Sequence, residues 1–64
     1  MDIDFILDDL YEEAYYWDTL RYCHFCVEDA ERVAYLYEFC DYGYWEAIHK
    51  VLCEIEGELI PWGY

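Results

Sequence analysis

Apolar residues recur at helical spacing in three segments of the chain. If the first segment turns about 100° per residue, as an α-helix does, its apolar residues fall within one arc of about 100°. These residues are Ile3, Ile6, Leu7, Leu10, Ala14 and Trp17. The acidic residues of the segment fall outside this arc, and so do Phe5, Tyr11, Tyr15 and Tyr16. The pattern predicts a first helix over about residues 3–17.

The helical pattern breaks after Trp17. A continued helix would place Leu20 on the polar side and would bring Arg21 and His24 among the apolar residues. Asp18 or Thr19 is of the residue type that caps a new helical turn. Residues 18–26 are therefore expected to form a short extra turn or helix, or an irregular connection.

Two further segments have one apolar side each. Glu28 and Asp29 give the second segment the acidic first turn that a helix dipole favours. Its apolar side consists of Val27, Ala30, Val33, Ala34, Leu36, Tyr37 and Cys40. A turn is predicted at residues 41–43, where Gly43 tolerates a positive φ. The buried side of the third helix consists of Tyr44, Trp45, Ala47, Ile48, Val51, Leu52 and Ile55.

The end of the chain is predicted to leave the third helix at Gly57, a residue typical of a helix C-terminal cap. Pro61 disfavours further helix, so residues 58–64 are expected to run extended. Leu59, Ile60 or Trp62 would then pack back on the bundle. The fold class is all-α: a small bundle of three main helices, with a short extra turn or helix and an extended C-terminal tail. Residues 1–64 are read as a single acidic helical domain.

Charge is the strongest compositional feature: the chain has 16 Asp and Glu residues but only three Lys and Arg residues in total, which gives a net charge of −13. Solubility alone asks for a magnitude of roughly 2–8 in a small domain. With 59% hydrophobic and 23% aromatic residues, the chain is expected to fold despite this charge. Nucleic acid and anionic membranes are excluded as direct partners by repulsion. The acidic N-terminus is unlike a signal peptide, so a cytoplasmic location is expected.

Two rows of carboxylates follow the first helix at i,i+4 spacing: Asp4, Asp8 and Glu12 in one, Asp9 and Glu13 in the other. Like charges at this spacing cost about 0.2–0.5 kcal/mol per pair. A helical turn advances about 5.4 Å, whereas successive phosphates of one DNA strand advance about 3.4 Å each along the axis. A row of carboxylates one turn apart therefore approximates every second phosphate. The rows therefore suit a basic nucleic-acid-binding surface, and the alternative is a solvated helix face.

The second helix and the tyrosines extend this candidate surface. Glu28, Glu31 and Glu38 lie opposite the apolar side of the second helix. Tyr15 and Tyr16 lie among the acids of the first segment, where their rings can contact arginine by cation–π interaction. Packing in the core and its rim is the equally weighted alternative for these tyrosines.

Four cysteines leave three interpretations open. Two disulfides would suit a secreted protein, whereas reduced thiols suit the cytosol that the sequence favours. Cys23 and Cys26 form a C-x2-C pair that His49 and Cys53 could complete as a zinc site. No cofactor or metal is expected, because the spacing of the two halves matches no standard finger. The chain has no Ser, no Gly-rich phosphate loop and two His, so an enzyme is not expected either.

In size, charge and aromatic content, the whole chain resembles the small acidic DNA-mimic inhibitors that phages direct against host nucleic-acid-binding machinery. These include inhibitors of uracil-DNA glycosylase and several anti-CRISPR proteins. It looks most like the anti-CRISPR proteins that block type I surveillance complexes, whose DNA channel is lined with Lys and Arg. The resemblance rests on no matched motif. It implies competitive occupancy of a basic channel in the host cytoplasm, by a monomer or weak dimer.

Two other function classes remain beside the DNA mimic. A protein-interaction module would dock through its aromatic and apolar surface, and its binding would depend little on salt. A small structural zinc domain would unfold when a chelator removes the metal.

Overall fold

A computed structural model describes residues 2–59, with Leu59 described by its backbone. Three helices account for most of this range: α1 (Ile3–Ala14), α2 (Val27–Phe39) and α3 (Tyr44–Leu59). Residues 2–59 contain no strand. The predicted all-α bundle of three main helices is confirmed.

One apolar core joins all three helices and the connection between α1 and α2. Its fully buried or nearly buried residues are Ile6, Leu10, Ala14, Leu20, Phe25, Ala30, Val33, Ala47, Ile48, Val51 and Leu52. The first-helix arc is confirmed, since its remaining members, Ile3, Leu7 and Trp17, are half-buried against this core. No polar or charged residue of the described range is buried.

The first helix ends at Ala14, three residues earlier than the predicted Trp17. Beyond it, residues 15–22 form successive turns, in which Trp17, Leu20 and Cys23 each donate a backbone hydrogen bond to the carbonyl three residues earlier. The predicted short extra turn is therefore present. Tightening to i→i+3 bonds also explains Leu20, because the changed direction brings this residue into the core.

The connection is fastened to α1 by Tyr11. The Tyr11 hydroxyl accepts a hydrogen bond from the Phe25 N–H at 2.9 Å and donates to the Phe25 carbonyl at 3.3 Å. The two rings also meet edge to face, with centroids 5.0 Å apart. Tyr11 thereby satisfies both backbone groups of Phe25 just before α2 begins.

The turn before α3 uses a different residue from the one predicted. Asp41 has the positive φ, at 61°, whereas Gly43 does not. Aspartate is among the few non-glycine residues that enter the left-handed region readily. Gly43 serves close approach instead: its N–H donates to the Glu46 carboxylate, and a Cβ at this position would lie 2.8 Å from Glu46 Oε1.

The predicted end of the third helix was wrong. Gly57 does not cap α3, which continues through Glu58 to Leu59. A Cβ at Gly57 would meet nothing within 4 Å, so the glycine is tolerated inside the helix without being required there. The rest of the predicted tail, from Ile60 through Pro61 and Trp62 to Tyr64, lies outside the described residues.

Three residues predicted on apolar sides are exposed: Val27, Tyr37 and Trp45. Each lies in a terminal turn of α2 or α3. Helical spacing gives the direction in which a side chain points, but it does not tell whether a neighbouring helix extends that far. Tyr44, Ile55 and Cys40, predicted on the same sides, are half-buried.

The order of contacts fixes the direction of each helix. Asp9 contacts Tyr44, Glu13 contacts His49 and Thr19 contacts Glu56, so α1 and α3 run in the same direction. Between α2 and α3, Arg32 pairs with Glu54 and the ring of Tyr37 meets that of Tyr44, so these helices are antiparallel.

Candidate partner-binding surface

All 16 carboxylates lie within the described residues, and none of them is buried. Arg21 and Arg32 are paired within the molecule: Arg21 Nη2 lies 3.4 Å from Asp18 Oδ1, and Arg32 Nη2 lies 2.7 Å from Glu54 Oε1. Two of the three cationic side chains are thus already occupied. The surface they leave is strongly negative.

An outer row of carboxylates follows α1: Asp4, Asp8 and Glu12. All three side chains are exposed, and none makes a hydrogen bond or ion pair with the part of the chain that the structure describes. Successive members are one helical turn, about 5.4 Å, apart. No cationic side chain of residues 2–59 pairs with the row, so an external cation would relieve the repulsion between its members.

An inner pair, Asp9 and Glu13, faces α3. Asp9 is half-buried and accepts a hydrogen bond from the Tyr44 hydroxyl. Glu13, also half-buried, has its Oε1 2.9 Å from His49 Nε2. The sequence pattern grouped both residues with the outer row. The structure places them at the α1–α3 contact, where they hold two helices together.

Asp9 and Glu13 belong to a larger group of half-buried carboxylates. Each half-buried one has a polar partner in the molecule: besides Asp9 and Glu13, these are Asp29, Glu54 and Glu56. Asp29 Oδ2 accepts from the Cys26 N–H at 3.1 Å and so caps α2. The half-buried acids therefore serve the fold.

On α2 the three predicted residues Glu28, Glu31 and Glu38 are exposed. They share the outward side of the helix with Tyr35 and Phe39. These two aromatic residues were not predicted to be part of the site. Their signal in the sequence was an i,i+4 aromatic pair lying opposite the apolar side of α2.

Tyr15 and Tyr16 follow the end of α1 and are 61% and 74% exposed. Their rings meet edge to face, with centroids 5.6 Å apart. Tyr15 already holds a cation, because the Arg21 guanidinium carbon lies 5.5 Å from the centre of its ring. The structure therefore brings Tyr16 to the surface as an open ring and Tyr15 as a ring stacked with Arg21.

Tyr44 has a strongly perturbed ionisation. Burial raises the pKa of Tyr44 far above its usual value, and the hydrogen bond to Asp9 and the negative charge of Asp9 raise this pKa further. Below the ordinary tyrosine pKa of about 10, the folded and unfolded chains both keep the proton. Above it, the unfolded chain ionises first, so stability is lost as pH rises.

A Tyr44→Phe variant tests this coupling. At neutral pH it should lower the free energy of unfolding by about 1.5 kcal/mol, the low end for a hydrogen bond to a charged group, because Asp9 is only half-buried. Between about pH 10 and 12 its stability should fall less steeply than that of the wild type. Urea denaturation at several pH values measures both effects. Tyr22→Phe is the control, since Tyr22 is 87% exposed; a Tyr44→Phe curve parallel to the wild type would contradict the coupling.

The four cysteines carry free thiols, of which Cys26 and Cys53 are exposed. Cys23, Cys26, His49 and Cys53 do not converge: among residues 2–59, no three His, Cys, Asp or Glu side chains are grouped to hold a metal ion. Cys23 Sγ lies 3.7 Å from the Thr19 carbonyl and Cys26 Sγ lies 3.5 Å from Asp29 Oδ2. The described residues also form no pocket.

None of the helices between residues 2 and 59 combines the length and the apolar content needed to cross a bilayer. Comparison of the chain with protein-family models, curated proteins and solved structures gives no match.

Proposed function

We propose that this protein is a DNA-mimicking inhibitor that binds the basic nucleic-acid-binding surface of another protein. The observation that carries the proposal is the outer row of α1, where Asp4, Asp8 and Glu12 are exposed, lie one turn apart and lack a partner among the described residues. Such a row is costly to the isolated helix. Lys and Arg side chains that normally hold phosphates would offset that cost.

The inhibitor acts by occupancy and not as an enzyme. Carboxylates of α1 and α2 take the positions of phosphates, so the target cannot bind DNA at the same time. The large net charge speeds the encounter by electrostatic steering, and salt slows it. Because the charge opposes self-association, the active form is a monomer. By resemblance, the target is a CRISPR surveillance complex in the cytoplasm of a phage-infected cell.

Competition with DNA tests this function. A purified type I surveillance complex is incubated with saturating protein, and binding of its target DNA is titrated at low and physiological salt. We expect the protein to inhibit DNA binding, and we expect this inhibition to be weaker at physiological salt than at low salt. Undiminished DNA binding removes this complex as the target.

Affinity capture from a host lysate tests the wider proposal. We expect proteins released by high salt to be rich in Lys and Arg and to bind nucleic acid. A partner that stays bound at high salt and is lost on aromatic substitution would instead support a second function, a protein-interaction module. The exposure of Phe39 and Trp45, 74% and 49%, is the observation that favours this second function.

A further inference from the structure

The outward side of α2 carries two neighbouring aromatic rings beside a carboxylate. Tyr35 and Phe39 are 58% and 74% exposed, and their ring centroids lie 5.5 Å apart with the planes tilted by 34°. Glu31 precedes Tyr35 by four residues, and Tyr35 precedes Phe39 by four. Side chains at these spacings are neighbours on a helix surface, about 5–6 Å apart at Cβ. Glu31 therefore places a negative charge beside the rings.

The molecule already shows what such an arrangement binds. The guanidinium of Arg21 lies over the ring of Tyr15, with its carbon 5.5 Å from the ring centre. Its Nη2 is 3.4 Å from Asp18 Oδ1, and its Nε donates to the Tyr15 carbonyl at 3.1 Å. A tyrosine ring and a nearby carboxylate together hold one arginine. The α2 surface offers the same two groups, the two rings and the Glu31 carboxylate, to an external side chain.

Exposed rings could bind either a second copy of this chain or a basic partner, and charge favours the basic partner. A second copy of this chain would bring Glu28, Glu31 and Glu38 of one molecule against those of the other, on top of a net charge of −13 each. A basic surface is complementary instead. Among basic side chains, guanidinium stacks on aromatic rings and pairs with carboxylates through two parallel hydrogen bonds, whereas the strongly hydrated ammonium of lysine is a point charge.

We propose that the outward side of α2 is an arginine-binding surface. Tyr35 and Phe39 stack against guanidinium groups of the partner, while Glu31 pairs with them. The surface thereby selects arginine over lysine. A row of carboxylates without rings would distinguish the two side chains far less. This inference rests on the proposed function for the basic character of the partner and specifies its chemistry.

The test compares two peptides of equal length and charge, oligo-arginine and oligo-lysine, binding to the full chain. Titration calorimetry should show oligo-arginine bound about two- to fivefold more tightly, the contribution of an exposed cation–π contact. Backbone amide shifts in NMR should change most within residues 28–39 on adding oligo-arginine. Equal affinities, or shifts centred elsewhere, would overturn the proposal.

Two double variants assign the preference to the rings. In Tyr35→Leu/Phe39→Leu, the preference for oligo-arginine should disappear while the affinity for oligo-lysine stays unchanged. The matched control is Phe5→Leu/Tyr22→Leu, which removes two rings that are 64% and 87% exposed on other surfaces and should keep the preference. Circular dichroism verifies that each variant is folded. A preference that survives in the α2 variant would show that carboxylates alone produce it and would refute the role of the rings.

Failure of this inference differs from failure of the proposed function. If the protein displaces DNA from a basic target but does not distinguish the two peptides, mimicry stands and the arginine surface is wrong. If the peptide preference is present and localised to α2 but no DNA-binding protein is displaced, the surface stands and its target is an arginine-rich protein of another kind.

Discussion

Replacing Asp8 and Glu12 with Asn and Gln should weaken binding to the basic target about thirtyfold while making the free protein more stable. At about 1 kcal/mol for each ion pair, the upper end for exposed pairs, two lost pairs correspond to this factor. The same change removes the Asp4–Asp8 and Asp8–Glu12 repulsions and should raise the free energy of unfolding by about 0.4–1 kcal/mol. Asp4 itself is retained, because its charge in the first turn of α1 favours the helix dipole.

The matched control is Asp9→Asn/Glu13→Gln, which alters the net charge equally on the same helix. Here the hydrogen bonds to Tyr44 and His49 lose their charge assistance, so stability should fall by roughly 1 kcal/mol. Affinity should fall only by the shared loss of long-range attraction. Calorimetric titration and urea denaturation measure the two quantities. If both double variants lost affinity to the same extent, the field of the whole molecule, and not the outer row, would be the binding determinant.

Leu20→Ala should destabilise the fold by about 2–5 kcal/mol, the range for a fully buried leucine. Leu20 has no exposed surface although it lies in the irregular connection between α1 and α2. A domain this small buries only about 60% of its unfolded surface, so its stability has little reserve. We expect most of the Leu20→Ala chain to be unfolded at physiological temperature, as measured by loss of helical circular dichroism on heating.

Tyr22→Ala provides the comparison within the same connection. Tyr22 is 87% exposed two residues further along, so its truncation should change the free energy of unfolding by less than about 0.5 kcal/mol. Equal melting curves for the two variants would show that the connection does not anchor the core.

The core could be predicted from the sequence where a helix is long and its neighbours extend beside it. Ile6, Leu10 and Ala14 were placed correctly because their spacing alone identifies the inward side of α1. Leu20 was recognised only as a residue that does not fit a continued helix. Its burial depends on the turns after Ala14, and these are set by tertiary packing.

Terminal turns were predicted least well, for a physical reason. Trp45 was assigned to the buried side of α3, yet it is 49% exposed, since helical spacing gives the direction of a side chain and not its depth of burial. Gly57 and Gly43 show a similar limit: a glycine permits an unusual backbone without requiring it. In this chain the positive φ is at Asp41 instead.

The sequence predicted the acidic chemistry of the candidate site, but it did not predict which carboxylates contact other helices and which are exposed. Asp8 and Asp9 are adjacent and have the same side chain, yet one is exposed and the other bonded to Tyr44. Only the position of α3 relative to α1 separates them, and no local pattern contains that information. The aromatic pair on α2 differs, because the i,i+4 spacing of Tyr35 and Phe39 was visible in the sequence. The structure adds that both rings are exposed and that they contact each other.

The parallel course of α1 and α3 has a consequence for how the chain folds. The three polar contacts on that side join residues 35, 36 and 37 positions apart. Loop-closure entropy depends only weakly on length, so the first of these contacts carries nearly the whole cost and the others then form across a short remaining gap. We therefore expect α3 to dock on α1 in one cooperative step.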